Sequence, residues 1–260
     1  MSRPRLVVIA LVVLLAPTGA QAHYHMLLPD KPAAKTDEVV TLTYQFGHPF
    51  EHQLFETSPP KQLFVLAPDG TKTDLTDKLE KVAADGADGK KVTTFRASFT
   101  PKNRGDHIVI AVAAPVKVEG EPHPLHDLVK VIVHVQTQNG WGRKADVAGM
   151  IEPLPLTRPY GLIPGIAFRA EFEEPDPTGG RPLAGAMVEC ERYNATAPKE
   201  LPPDEHITRT VRTDRVGTAT VTPTEPGWWA VTAIRDVKDV RQRGTLWVWV
   251  DGKFPLETVK

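Results

Sequence analysis

The chain has 260 residues, with 31 Lys and Arg against 32 Asp and Glu, a formal net charge of −1 and 41% hydrophobic residues. Setting aside Arg3 and Arg5 of the N-terminal segment leaves 29 cations against 32 anions, so no cationic face dominates and a strongly basic nucleic-acid binder is excluded. The apolar fraction suffices for a packed core and excludes an acidic disordered tail protein, while 25 Pro and 19 Gly work against long helices and favour short strands joined by turns.

Residues Met1–Ala22 carry two early arginines, an apolar run Leu6–Ala16 and the ending Ala20-Gln21-Ala22. This is the pattern of a cleaved secretory signal, with an apolar run well short of the roughly 20 residues that span a bilayer. Cleavage after Ala22 gives a periplasmic or secreted protein with no transmembrane segment in the mature chain. The only cysteine is Cys190, so no intrachain disulfide is expected and a core built from roughly 240 residues must hold the fold.

Strand patterns then recur at short spacing. Val39–Gln45 alternates apolar and polar side chains, and Gln62–Leu66, Val92–Phe99, His107–Ala113 and Leu128–Gln136 follow, separated by turn signals such as Pro68-Asp69-Gly70 and Asp85-Gly86. Thr76–Ala84 reads as a short helix or an irregular loop. Four prolines between Ile151 and Pro164 predict a stiff connector. A second strand set comprises Ile166–Phe172, Ala186–Arg192, Ile207–Thr213, Thr218–Thr222, Trp229–Ile234 and Thr245–Val250. The expected architecture is all-β. After the signal peptide (1–22) come a His-rich N-terminal β-sandwich (23–150), a Pro-rich linker (151–164) and a C-terminal β-sandwich (165–260), Ig-like or prealbumin-like.

Eight of the nine histidines precede residue 140, so the N-terminal half is the specialised one. The mature chain would begin His23-Tyr24-His25. A terminal histidine offers an amine and an imidazole to one ion. A third-position histidine, with the amine and two deprotonated amides, can close a square plane around Cu(II) or Ni(II). The two modes compete for the same amine. If His23–Leu28 pairs with Val39–Gln45 as a hairpin, the turn centre lies near Ala34–Lys35. His23 then faces Phe46–Gly47, with His48 one step beyond. Side chains alternate along a strand, so His23 and His25 share a face, and Glu51 and His52 are next in reach. The predicted metal set is therefore His23, His25, His48, His52 and Glu51. Neutral imidazole is required, so affinity should weaken as pH falls through about 6.5. His123 and His126 could bind metal or lie on the surface, whereas His107 and His134 read as structural histidines.

Three segments carry a resemblance: His23-Tyr24-His25-Met26-Leu27-Leu28-Pro29; Phe46-Gly47-His48-Pro49-Phe50-Glu51; and Arg181–Val188 with Thr213–Gly217 and Pro226-Gly227-Trp228-Trp229. The first two are similar to the exported, nickel-uptake-associated family described as NikM-like or NikK-like, formerly a domain of unknown function. The third looks like a prealbumin-like or carboxypeptidase-regulatory-like module. The resemblance implies periplasmic handling of nickel or cobalt beside a membrane metal-uptake transporter, and carries over to His23 and His48. The place of His25 rests on the third-residue argument alone.

The leading expectation is thus a binding protein for nickel, cobalt or copper. One alternative is a metal-free structural or adhesion module. Another is a copper oxidative enzyme built on an N-terminal histidine. Four of the five tryptophans, Trp228, Trp229, Trp247 and Trp249, lie far along the chain from the histidines, which weakens that last alternative. No nucleophile elbow, phosphate loop or Cys-x-x-Cys pair is present.

Overall fold

The computed structural model describes residues 23–177 and 179–253. The expected signal peptide and its cleavage point fall outside the described residues. Strands in the first part of the chain are β1 (Tyr24–Pro29), β2 (Ala33–Ala34), β3 (Val40–His48), β4 (Gln53–Phe55), β5 (Gln62–Leu66), β6 (Lys72–Asp74), β7 (Glu80–Asp85), β8 (Lys91–Phe99), β9 (Gly105–Val112) and β10 (Leu125–Val135). The remainder are β11 (Glu152–Pro155), β12 (Phe168–Glu174), β13 (Arg181–Pro182), β14 (Met187–Arg192), β15 (Arg209–Arg212), β16 (Thr218–Val221), β17 (Gly227–Val237) and β18 (Val240–Val250). Among the described residues helix is confined to a 3-10 turn at Thr76–Lys78 and one turn, α1, at Asp204–Ile207.

These strands form three sheets in layers. One outer sheet has the order β1-β3-β8-β7, with β4 on β3. The central sheet runs β15-β14-β17-β18-β10-β9-β5-β6, with β2 on β10. The other outer sheet is β11-β12-β13, with β16 on β12. The fold is all-β with two sandwich cores, as expected, but the cores share the central sheet. Parallel pairing of β10 with β18, from Leu125 opposite Arg241 to Val131 opposite Trp247, joins the early and late parts of the chain.

Alternation within the central strands assigns each residue to one core or the other. Val129, Val131, Val133 and Val135 of β10 enter the first core, with Tyr24, Leu42, Tyr44 and Phe95. Leu128 and Ile132 enter the second, with Phe168, Phe172, Val231 and Val248. Burial on both faces explains why β9 and β10 read as nearly continuous apolar runs. Lys130 is one of the exceptions. It is fully buried on the second-core face, where it pairs with Glu152 Oε1 at 2.9 Å and donates to the Arg143 carbonyl at 3.1 Å.

Two local expectations are corrected. The Pro-rich stretch after residue 150 is not a bare connector: Glu152–Pro155 pairs with β12, and Ile151, Tyr160 and Leu162 are buried. Pro153 and Pro155 are compatible with a strand because β11 is the edge of its sheet, where a missing N–H costs no ladder bond. Thr76–Ala84 is split between the 3-10 turn and β7, which pairs with β8 from Glu80 opposite Arg96 to Asp85 opposite Lys91. Its solvent-exposed edge position accounts for the weak apolar pattern.

Candidate metal centre

β1 is buried along its whole length and pairs antiparallel with β3, Tyr24 opposite Gly47 and His25 opposite Phe46. Continuing that register sets His23 level with His48, one step past the position expected from a symmetrical turn. The shift arises because residues 30–39 do not close a plain hairpin: Ala33–Ala34 leaves to pair with β10. The imidazoles of His23 and His48 meet edge to face, with ring centroids 4.4 Å apart. Phe55 packs against both, at 5.3 Å from His23 and 5.0 Å from His48.

His48 is oriented by its neighbours. Its Nδ1–H donates to Gln53 Oε1 at 3.0 Å across the β3–β4 turn, where the two residues are ladder partners. Nε2 therefore carries a lone pair, and that atom is buried with no hydrogen-bond partner. Burial lowers the His48 pKa below the ordinary imidazole value, while the Gln53 bond and the nearby Glu51 charge oppose the shift. The ring is accordingly neutral at ordinary pH, the form that binds metal. Gly47 permits the turn: a Cβ there would collide with the Gln53 carbonyl oxygen.

The five predicted residues do not converge on one point. His23 and His48 meet, and Glu51 is buried within electrostatic reach of His48 and of Glu191. His25 is engaged elsewhere. Its Nδ1–H donates to Asp127 Oδ2 at 2.7 Å, and its ring stacks on Tyr44 at 5.7 Å and tilts against Phe46 at 4.6 Å. A square plane closed by a third-position histidine uses the side-chain nitrogen nearest the backbone, which Asp127 holds here, and the Tyr24 and His25 backbone lies in the β1–β3 ladder. His52 turns away, with φ 53 and its Nδ1–H donated to the Asn194 carbonyl at 2.9 Å. Among the described residues no three His, Cys, Asp or Glu side chains make a ready metal cage.

Several residues that the sequence reading did not assign to the site position it. Asp127 accepts from Arg243 Nε at 2.7 Å and Nη2 at 2.5 Å as well as from His25. Burial alone would raise the Asp127 carboxyl, but the Arg243 guanidinium and the His25 bond outweigh it and hold the group well below the usual carboxylate range. Arg243 Nη1 also donates to the His23 carbonyl at 2.5 Å, and its guanidinium lies 5.4 Å from the centre of the Tyr24 ring. Tyr24 in turn donates its hydroxyl to Glu189 at 2.8 Å. The available signal was charge inside apolar strands, Asp127 and Lys130 in β10 and Arg243 in β18, since buried charges demand partners. Of the remaining histidines, His134 bonds Asp106 at 2.8 Å and His107 bonds the Gly105 carbonyl at 3.3 Å.

Residues 20–236 match the sequence profile of the family described as domain of unknown function DUF4198. The chain belongs to that family. No curated protein matches it. Similar solved structures include the D0-D1 domain of intimin, at 17% identity over 88% of this chain and 100% of that one, with a TM-score of 0.22. A DUF4785 family protein from Legionella pneumophila is 8% identical over 80% of this chain and 51% of its own, with a TM-score of 0.27. Salmonella alpha-2-macroglobulin reacted with methylamine is 13% identical over 88% of this chain and 15% of its own, with a TM-score of 0.27. Likeness at that level bears on no function. Among the described residues no helix is long and apolar enough to cross a membrane.

Proposed function

We propose that this DUF4198 protein is an exported, nickel-uptake-associated binding protein of the NikM-like or NikK-like kind. It holds a divalent transition metal, nickel, cobalt or copper, between His23 and His48 and delivers it to a membrane uptake transporter. The observation that carries this reading is the His23–His48 contact, with the lone pair of His48 Nε2 buried and unpartnered and Nδ1 fixed by Gln53. A metal-bound histidine characteristically donates its other ring nitrogen to a fixed acceptor, the arrangement His48 has. Imidazole nitrogens suit these ions, and the amine of a chain beginning at His23 supplies the further donor that the described side chains lack. Glu51 adds negative charge nearby.

The test begins with the exported protein, its N-terminus identified by mass spectrometry. Isothermal titration with Ni(II), Co(II), Cu(II) and Zn(II) should find one stoichiometric site. His48→Ala should abolish it, and so should a variant with one Ala inserted ahead of His23. Binding no tighter than about millimolar, or binding unchanged in both variants, would sink the proposal and favour a metal-free module; millimolar affinity is worth only about 4 kcal/mol.

A further inference from the structure

The turn 49–52, which carries His48 from β3 into β4, is tied to residues distant in sequence. Asn194 N–H donates to the Pro49 carbonyl at 3.0 Å, and Asn194 Nδ2 donates to the Phe50 carbonyl at 2.6 Å. His52 Nδ1–H donates to the Asn194 carbonyl at 2.9 Å, and Phe50 N–H to Glu191 Oε1 at 3.2 Å. Thr208 donates to the second Glu191 oxygen at 2.6 Å, and the His52 ring meets the edge of Tyr193 at 6.0 Å. A four-residue hairpin turn needs no such partners to close. All of them lie beyond residue 190, whereas the ladder partner of His48 is Gln53, at the foot of the same turn.

We infer that His52 and Asn194 form a clasp that positions His48 against His23, and that His52 gives no nitrogen to the metal. The inference rests on the metal reading only for its binding readout, because the clasp is present without any ion. His52 is suited to the task twice over. Its φ of 53 lies in the left-handed region, which histidine and asparagine tolerate better than most residues. Its Nδ1–H points at a carbonyl, so the proton is fixed on that nitrogen.

The test uses the geometry of the side chain. In His52→Asn the amide Nδ2 stands where the imidazole Nδ1 stood, so donor and left-handed backbone are kept while the distal ring nitrogen is removed. In His52→Ala both nitrogens are lost. Asn194→Ala removes only the bond to the Phe50 carbonyl and leaves both backbone bonds of residue 194. Each variant is compared with the exported protein by circular dichroism, by metal titration with Ni(II), Co(II), Cu(II) and Zn(II), and by 15N NMR of the His48 imidazole in metal-free protein.

His52→Asn should bind as the parent does and keep the His48 tautomer and chemical shift. His52→Ala should shift or broaden the His48 signals and weaken binding about 10- to 100-fold, the usual range for loss of a group that orients a ligand. Asn194→Ala should move both readouts in the same direction by less. If His52→Asn loses affinity as far as His52→Ala while the His48 signals stay put, His52 is a ligand and the inference fails. It fails equally if His52→Ala leaves His48 signals and affinity at parental values. If the parent protein itself binds none of the four ions, the metal reading falls, and the His48 spectra alone decide whether the clasp positions that ring.

Discussion

Asp127→Asn is the most demanding test of how the N-terminal strand is held. Asp127 is 1% exposed and accepts three hydrogen bonds, two from Arg243 and one from His25. The amide is nearly isosteric, so the substitution removes charge and turns an acceptor into a donor without opening a cavity. Arg243, itself 2% exposed, is left as a buried cation without its ion-pair partner. Breaking a buried pair from one side costs about 3–5 kcal/mol, because the remaining charge stays desolvated. For a chain of this size that corresponds to a melting point lower by about 6–20 °C. Urea unfolding at pH 7, followed by tryptophan fluorescence, measures the loss directly. The double variant Asp127→Leu with Arg243→Met should recover most of it, since a neutral pair carries no desolvation penalty.

Acid titration gives an independent arm. The folded Asp127 pKa lies below the unfolded value, so its contribution is fully present above about pH 4 and is lost as pH falls from there towards the folded value. Asp127→Asn should lack that acid-dependent component. A loss below about 1 kcal/mol at pH 7, the scale of an exposed pair, would refute the reasoning and mean that Arg243 finds water or another partner.

Glu191 has the opposite sign. Burial, opposed by the Thr208 bond, pushes it up to about 8, so the folded state holds a proton that the unfolded chain releases near pH 4.5. Stability should fall as pH rises through that window, by an amount on the order of a few kcal/mol, and Glu191→Gln should flatten the profile in denaturant melts from pH 5 to 8. Gly47→Ala should lower stability by about 2–4 kcal/mol, because its Cβ meets the Gln53 carbonyl and the turn must open; an unchanged melting temperature would count against this geometry. Lys130→Met should cost about 3–5 kcal/mol by leaving Glu152 without its cation, and proteolysis should then cut faster around 143–146, where Ala145 N–H and Asp146 N–H bind the same carboxylate.

Much of this organisation was legible in order along the chain. Period-two alternation in Val40–Gln45 and the apolar runs at Ile108–Val112 and Leu128–Val135 mark strands because a pleated sheet imposes that period. The pairing of β1 with β3 follows from their proximity in sequence, which is why the approach of His48 to His23 could be read within one residue of the observed register. Local pattern could not show that β10 lies beside β18, since a parallel pairing has no turn to announce it.

Side-chain type and spacing over a few residues were enough to set the all-β character, the longer strands and the chemistry available near the N-terminus, whereas the short edge strands Glu80–Asp85 and Glu152–Pro155 carry too little alternation to be read that way. The tertiary structure decided which histidines meet. His25 is drawn to Asp127, which Arg243 holds in place, and His52 to the Asn194 carbonyl, because a buried imidazole must satisfy its N–H wherever the fold supplies an acceptor, and those acceptors arrive from strands and turns far along the chain. His48 keeps its Nε2 buried and without a hydrogen-bond partner beside His23, since its own turn holds the other nitrogen.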